Sequence, residues 1–252
     1  MKLVRFLSHP LVFLQHFAVA KPSPLNEQHA IVSDGKAPIS NTPQDVRKAL
    51  LDAEIIPTVI DDFLPPLSLD ARWSHSHHTR ASLGNTLKPS KLDSAPKVTL
   101  ARHHDHDDSN LRGDITIVVT MTDPDAPSRD DPKWSEFCHW IAVGVLVSAV
   151  EHSSVTRFSV GSSQIMEYKP PSPPEKTGKH RYVLLAFAPA NGTTEKLHLS
   201  KPRGRKHWGY EVDEEGEKGE REIETKGVRQ WAAENGLVPI AANFFYAQNK
   251  KQ

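Results

Sequence analysis

The sequence predicts a mainly β protein, an antiparallel β-sandwich with a few short peripheral helices. Three segments rich in Val, Ile, Leu and aromatic residues are bounded by polar or proline-rich sequence, as strands are: residues 115–121, 140–147 and 181–187. Their almost continuous apolar character indicates that both faces of the sheet are covered. No helical pattern of useful length separates them, so parallel crossovers are not supported and two packed antiparallel sheets are favoured.

The first helix is predicted to begin at Pro43, which suits the first helical position. Thr42 can cap this helix, and Asp45 is placed to meet its positive end. From residue 59 to 100 the chain is broken by Pro and Ser, with short apolar pieces such as residues 97–100. This region is predicted to form strands joined by ordered loops.

The C-terminal third combines a charged segment, a helix and an aromatic end. Residues 213–226 are almost wholly charged residues or Gly, which predicts a solvated insertion. Apolar residues at helical spacing then predict a short helix over about residues 226–235, with Gly236 as its C-terminal cap. Residues 237–246 are expected to form a terminal plug on the core.

The N-terminal segment has features of a targeting sequence. Residues 1–20 carry a basic start and end on Ala-Val-Ala, a small-residue cleavage pattern, but polar residues break their apolar part. We therefore predict a flexible arm over residues 1–41 and one domain over residues 42–252. The predicted location is the cytoplasm, with association with the vacuole as an option. Secretion or mitochondrial import are the alternatives if residues 1–20 are a targeting segment.

The composition excludes several classes of protein. The 31 Lys and Arg residues balance 31 Asp and Glu residues, so the chain lacks the positive charge of a general nucleic-acid or anionic-membrane binder. The single cysteine, Cys138, can form neither an internal disulfide nor a cysteine-based zinc site. No apolar run approaches the ~18 residues of a membrane span, so a soluble or peripheral protein is expected.

Polar side chains cluster where the predicted strands begin and end. Asp123 and Asp125 follow the first strand in the sequence TDPDAP, in which the prolines stiffen the loop. His139 lies at the start of the second strand, and the sequence His-Arg-Tyr at 180–182 starts the third. Antiparallel strands can bring such ends to one rim. An Asp–His pair lowers the pKa of the Asp and raises that of the His, which keeps an imidazolium available to an anion. The alternative is an Asp-Pro turn beside ordinary core histidines.

Catalytic and metal-binding patterns are weak. No Gly-x-Ser-x-Gly elbow is present, and Cys138 and His139 are adjacent on a strand, so they point to opposite faces and cannot pair as nucleophile and base. His-rich clusters at residues 75–78 and 103–108 lie in polar loops without a fixed ligand spacing. We assign no catalytic residue, metal site or cofactor. The basic stretch 201–207 is interpreted as a solvated loop, with an acidic partner as the alternative.

Four motifs occur in order along roughly residues 42 to 249, about four fifths of the chain. They are TDPDAPSRDDPKWSEFCHW at 122–140, TGKHRYVLL at 177–185, WGY at 208–210 and NFFYAQ at 243–248. With these motifs the chain resembles the phosphatidylethanolamine-binding protein family, and within it the fungal branch of carboxypeptidase Y inhibitors.

The resemblance implies an antiparallel β-sandwich with a small pocket for a phosphoryl or acetate-like anion, such as a phospholipid head group. In it, the two histidines and a tyrosine hydroxyl would donate hydrogen bonds, and the Asp residues would orient the imidazoles. Matched motif to motif, the pocket is lined by Asp123, Asp125, Pro127, Trp134, Phe137, His139, Pro173, Pro174, His180 and Tyr182.

The function implied is that of a non-enzymatic, monomeric binding protein. It would bind phospholipid head groups, contact membranes peripherally, bind no nucleic acid and inhibit a serine carboxypeptidase. Inhibition follows from the family alone, because residues 1–41 do not resemble the N-terminus that the family's inhibitors use against the protease. A module that regulates kinases or other signalling partners is the alternative. An Asp- and His-dependent hydrolase has the least support.

Overall fold

The structure is a computed structural model, and it describes residues 42–73, 79–102, 115–147, 157–194, 197–211 and 227–252. The predicted arm, the charged insertion and both His-rich clusters lie outside the described residues, so these expectations stay predictions. Within the described ranges, no helix is long and apolar enough to cross a membrane.

The described part of the chain forms helices α1 (Pro43–Asp52) and α2 (Val228–Glu234) and the strands β1 (Leu67–Arg72), β2 (Asn85–Leu87), β3 (Lys97–Arg102), β4 (Thr116–Asp123), β5 (Phe137–Val147), β6 (Arg157–Met166), β7 (His180–Pro189) and β8 (Leu237–Ala247). Strands β1 and β3 pair in a small sheet, and the large sheet has the order β2-β8-β7-β4-β5-β6. The pairs between these strands are antiparallel, except that the short β2 runs parallel to β8. The mainly β sandwich is confirmed, with a large sheet that is mixed.

The large sheet buries apolar side chains on both faces. On one face, Met121 and Leu184 pack against Leu100 of the small sheet. On the other, Val183 lies in a second core with Trp231 of α2 and with residues of α1. This two-sided burial explains the continuous apolar runs of β4 and β7, because successive residues of a strand face opposite sides and both sides are covered.

Both predicted helices form. The Thr42 hydroxyl accepts a hydrogen bond from the Asp45 N–H at 3.1 Å, and the Asp45 carboxylate accepts one from the Thr42 N–H at 3.0 Å. This reciprocal capping box satisfies N–H groups that have no partner inside the helix. Helix α2 ends at Glu234, and Gly236 follows with a φ of +64°, the left-handed conformation that glycine adopts at helix ends.

Two strands were not expected from the sequence. Strand β6 is composed largely of small and polar residues, and it pairs with β5 at one end of the large sheet. The segment 237–246, expected to be a terminal plug, does bury Phe244 and Phe245 in the core, but it does so as strand β8, which pairs with β7 along its whole length. Pro239 and a run of alanines hide the β pattern of this strand in the sequence.

Candidate anion-binding site

One edge of the large sheet gathers the predicted polar residues. Asp123 is the last residue of β4 and lies opposite Phe137, the first residue of β5. Strand β7 also begins at this edge, because it pairs antiparallel with β4. The antiparallel topology therefore brings the end of one strand and the starts of its two neighbours to a single rim.

Asp123 is the centre of a buried hydrogen-bonded cluster. Its side chain is 3% exposed, and its Oδ2 atom lies 2.9 Å from His180 Nδ1. Its Oδ1 atom accepts the Asp125 N–H at 2.8 Å, and the Tyr182 hydroxyl is a further hydrogen-bond partner. Several donors thus compensate the burial of the carboxylate and fix the orientation of the His180 ring.

The second ring nitrogen of His180 is also engaged. His180 Nε2 lies 3.0 Å from Thr177 Oγ1, and the Thr177 hydroxyl donates to the Pro174 carbonyl at 2.9 Å. Since a hydroxyl carries one hydrogen, Thr177 accepts from Nε2 while it donates to Pro174. Both ring nitrogens of His180 are thus engaged, one with Asp123 and the other with Thr177.

His139 has a different environment from the one expected. The ring is 4% exposed, and its Nδ1–H donates to the Lys169 carbonyl at 2.7 Å. Burial lowers the pKa of His139 to about 4, although the nearby Asp123 charge opposes this change. At neutral pH the ring is therefore uncharged, and the expected imidazolium is wrong for His139. A backbone carbonyl, rather than an Asp, orients it.

Aromatic rings form the body of the site. The ring of Tyr182 stacks on His180 with centroids 6.4 Å apart, and its edge meets His139 at 5.2 Å. Phe137 packs on the other side of His139 at 5.0 Å. Burial, reinforced by the Asp123 charge, raises the pKa of Tyr182 well above its usual value, so the hydroxyl stays protonated and donates to Asp123.

The proline and tryptophan residues predicted for the site differ in their exposure. Pro127 and Trp134 are half-buried, Pro173 is buried and Pro174 is exposed. The backbone N–H of Trp134 donates to the Ala126 carbonyl at 3.0 Å. The Lys206 ammonium lies 4.2 Å from the centroid of the Trp134 ring. The Trp134 ring therefore already has one cation on its face.

The resemblance implied that Asp125 orients an imidazole, but in the structure Asp125 has a different partner. Its carboxylate binds the Arg181 guanidinium in a bidentate pair, at 2.7 Å from the terminal NH2 group and 3.0 Å from Nε. The remaining Arg181 nitrogen donates to the carbonyls of Ala53 and Glu54, both at 2.9 Å. Arg181 thus joins β7 to the end of α1. An arginine in an otherwise apolar strand needs a carboxylate partner. The position of Arg181 in such a strand therefore indicates a buried ion pair from the sequence alone.

A third buried carboxyl group lies directly before β5. Glu136 is 3% exposed and accepts a hydrogen bond from the Thr122 hydroxyl at 3.0 Å. The Trp208 indole N–H donates in turn to Thr122 Oγ1 at 2.9 Å. Burial raises the pKa of Glu136 to about 8, so this group is largely protonated at neutral pH. Nothing in the sequence around Glu136 distinguishes it from a surface residue.

Glu136 is expected to make folding stability fall as the pH rises. Its pKa is about 8 in the folded chain and 4.5 otherwise, so between these values the folded state binds more protons than the unfolded state. Stability from this group is present below about pH 4.5 and is lost through pH 8, with a slope of at most ~1.4 kcal/mol per pH unit. Glu136→Gln should flatten the slope between pH 5 and pH 8 in urea unfolding. An unchanged slope in the variant would contradict the buried-acid assignment.

The basic stretch 201–207 is not simply a solvated loop. Arg205 donates to the carbonyls of Cys138 and His139 at 3.1 Å, and to that of Glu167 at 2.8 Å. It therefore fixes the backbone that carries His139.

Burial also raises the pKa of the Cys138 thiol to about 12, which leaves it protonated and unsuited to nucleophilic attack.

Fold and site together define a class of protein: a two-sheet β protein with a buried Asp–His–Tyr cluster at one sheet edge. Among the described residues, no group of His, Cys, Asp and Glu could hold a metal ion. Residues 77–245 match the sequence pattern of the phosphatidylethanolamine-binding protein family. The chain belongs to this family.

Known relatives agree with this assignment. The carboxypeptidase Y inhibitor of Saccharomyces cerevisiae is 34% identical over 214 residues, which cover 78% of this chain and 91% of the inhibitor. A solved structure of carboxypeptidase Y inhibitor complexed with the cognate proteinase matches with a TM-score of 0.68 and 30% identity, over 82% of this chain and 96% of that one. The phosphatidylethanolamine-binding protein from Plasmodium vivax, with a TM-score of 0.58, 17% identity and coverage of 81% and 97%, shares the fold.

Proposed function

We propose that this protein is a non-enzymatic inhibitor of a serine carboxypeptidase of the carboxypeptidase Y type. The observation that carries the proposal is the 34% identity to the yeast inhibitor over 91% of that protein's length. The similarity to an inhibitor crystallised with its proteinase supports the same interpretation, because it extends over 96% of that chain. The buried, protonated Cys138 thiol removes one nucleophile from the hydrolase alternative.

An inhibition assay tests this proposal. The purified full-length chain should inhibit yeast carboxypeptidase Y at submicromolar concentration, in the range of specific protein complexes of ordinary size. Trypsin and a zinc carboxypeptidase serve as controls, and both should keep full activity. Undiminished carboxypeptidase Y activity at a large excess of the chain would contradict the proposal, as would equal inhibition of all three enzymes.

We further propose that the rim binds a small anion beside His139. The hydrogen-bonded cluster of Asp123, His180 and Tyr182 holds the Tyr182 ring in place against His139. His139 uses its Nδ1–H on Lys169, which leaves Nε2 as the atom that can take up a proton. An anion bound here would stabilise the protonated ring, so binding should be coupled to the uptake of a proton.

A further inference from the structure

A concave site shares Pro173 with the predicted anion site. It is a groove of about 590 Å³ with two walls. One wall is residues 86–90, at the end of β2, and the other is residues 248–251, which follow β8. Ser172 and Pro173 complete its wall. Its volume falls within the ~300–1,000 Å³ typical of small-molecule sites. Of the predicted site residues, the groove includes Pro173 alone, so it is distinct from the anion site proposed at His139.

Apolar side chains and lysines divide the lining of this groove. Leu87, Pro89 and Pro173 provide apolar surface, and Lys88 and Lys250 are exposed on its rim. None of the lining residues is acidic. The groove therefore combines an apolar interior with a cationic rim.

Two of the rim lysines are available to a ligand. Lys251 forms an ion pair with Glu175 at 2.8 Å, whereas neither Lys88 nor Lys250 pairs with a carboxylate of the described residues. An unpaired ammonium at the edge of an apolar surface attracts an anionic group that the same surface can hold by its apolar part. The positive charge at the edge of the groove attracts a negative ligand and repels a positive one.

Hydrogen bonds hold the walls of the groove in place. Asn249 Nδ2 donates to the Pro173 carbonyl at 3.1 Å, and the Lys176 N–H donates to the Lys251 carbonyl at 3.0 Å. On the opposite wall, the Lys91 N–H donates to the Lys88 carbonyl at 2.9 Å and closes a tight turn. Because the walls are fixed before binding, little ordering entropy opposes a ligand.

We propose that this groove binds a small amphipathic anion, with one apolar chain against Leu87, Pro89 and Pro173 and its carboxylate or phosphate group at Lys88 and Lys250. The inference is independent of carboxypeptidase inhibition and of anion binding at His139. The volume of the groove suits a ligand of this class, a small molecule rather than an extended peptide.

Titration calorimetry of the full-length chain tests the groove with decyl phosphate below its micelle concentration. We expect saturable binding at the groove, and at least ~10-fold weaker binding there of decyltrimethylammonium, which has the same chain and the opposite charge. The double variant Lys88→Glu/Lys250→Glu should weaken decyl phosphate at least ~10-fold. The matched control Lys91→Glu/Lys97→Glu, which alters two exposed lysines outside the groove, should bind almost normally.

Two further variants locate the ligand. Ser172→Trp should block the groove and abolish binding, while circular dichroism verifies that the variant is folded. His139→Asn weakens the separate anion site proposed at His139, so the saturable binding that remains in this variant is that of the groove and should keep its affinity. Loss of binding in His139→Asn, equal affinity for the two amphiphiles, or normal affinity in the double lysine variant would overturn the proposal. Preferential binding of an acidic peptide would also overturn it.

Discussion

Arg181→Ala should lower the free energy of unfolding by ~3–5 kcal/mol, the cost of breaking a buried ion pair by removing one partner. Asp125 is 1% exposed and loses the guanidinium that binds both of its oxygens. The carbonyls of Ala53 and Glu54 lose their donor at the same time. Urea unfolding at pH 7 measures the change, with the m-value as a check that the unfolded state is the same.

Arg129→Ala is the matched control for this prediction. Arg129 pairs with Glu54 at 2.6 Å, but the two side chains are 44% and 71% exposed. Exposed ion pairs contribute only ~0–1 kcal/mol, so this variant should be nearly as stable as the parent chain. Equal, small losses in Arg181→Ala and Arg129→Ala would show that the Asp125–Arg181 pair does not hold β7 to α1.

Sulfate should bind beside His139 more tightly as the pH falls from 7.5 to 5. The pKa of His139 is about 4 in the free protein, and a bound anion raises it. The complex then holds more protons than the free chain, so affinity rises with acidity by up to ~10-fold per pH unit. Sulfate keeps its own charge over this range, so a change in its affinity reports on the protein.

His139→Asn should abolish this pH dependence and weaken sulfate binding at pH 5 by at least ~10-fold. The asparagine amide can still donate to the Lys169 carbonyl, but it cannot take up a proton. His198→Asn, at an exposed histidine, is the control and should change neither property. Titration calorimetry in buffers of different ionisation enthalpy would count the protons. A sulfate affinity that is flat with pH, or a slope that survives in His139→Asn, would contradict the proposed role.

The apolar pattern of the sequence was sufficient to predict the centre of the fold. Strands β4, β5 and β7 are apolar on both faces, and their polar ends had to meet at one rim once the sheet was antiparallel. Strand β6 could not be predicted in the same way, because small and polar residues give no β signal. Strand β8 was hidden by Pro239, which the sheet accommodates with a register shift in the pairing with β7.

The chemistry of the site was less predictable than its location. The charge of His139 depends on burial and on a carbonyl from another segment, and neither is visible in the motif FCHW. Arg205 lies 66 residues from His139 in the chain and supports its backbone, so no local pattern connects them. The Asp125–Arg181 pair follows from the strand alternation that places Arg181 on the face opposite His180 and Tyr182.

Sedimentation velocity of an equimolar mixture with carboxypeptidase Y tests the central claim most directly. We predict that the purified full-length chain and the enzyme sediment as one faster species, and that the enzyme recovered in this species is inactive. Arg129→Ala should form the same complex. Two separate boundaries at the sedimentation coefficients of the free proteins, with the enzyme fully active, would contradict the assignment of this chain as a carboxypeptidase inhibitor.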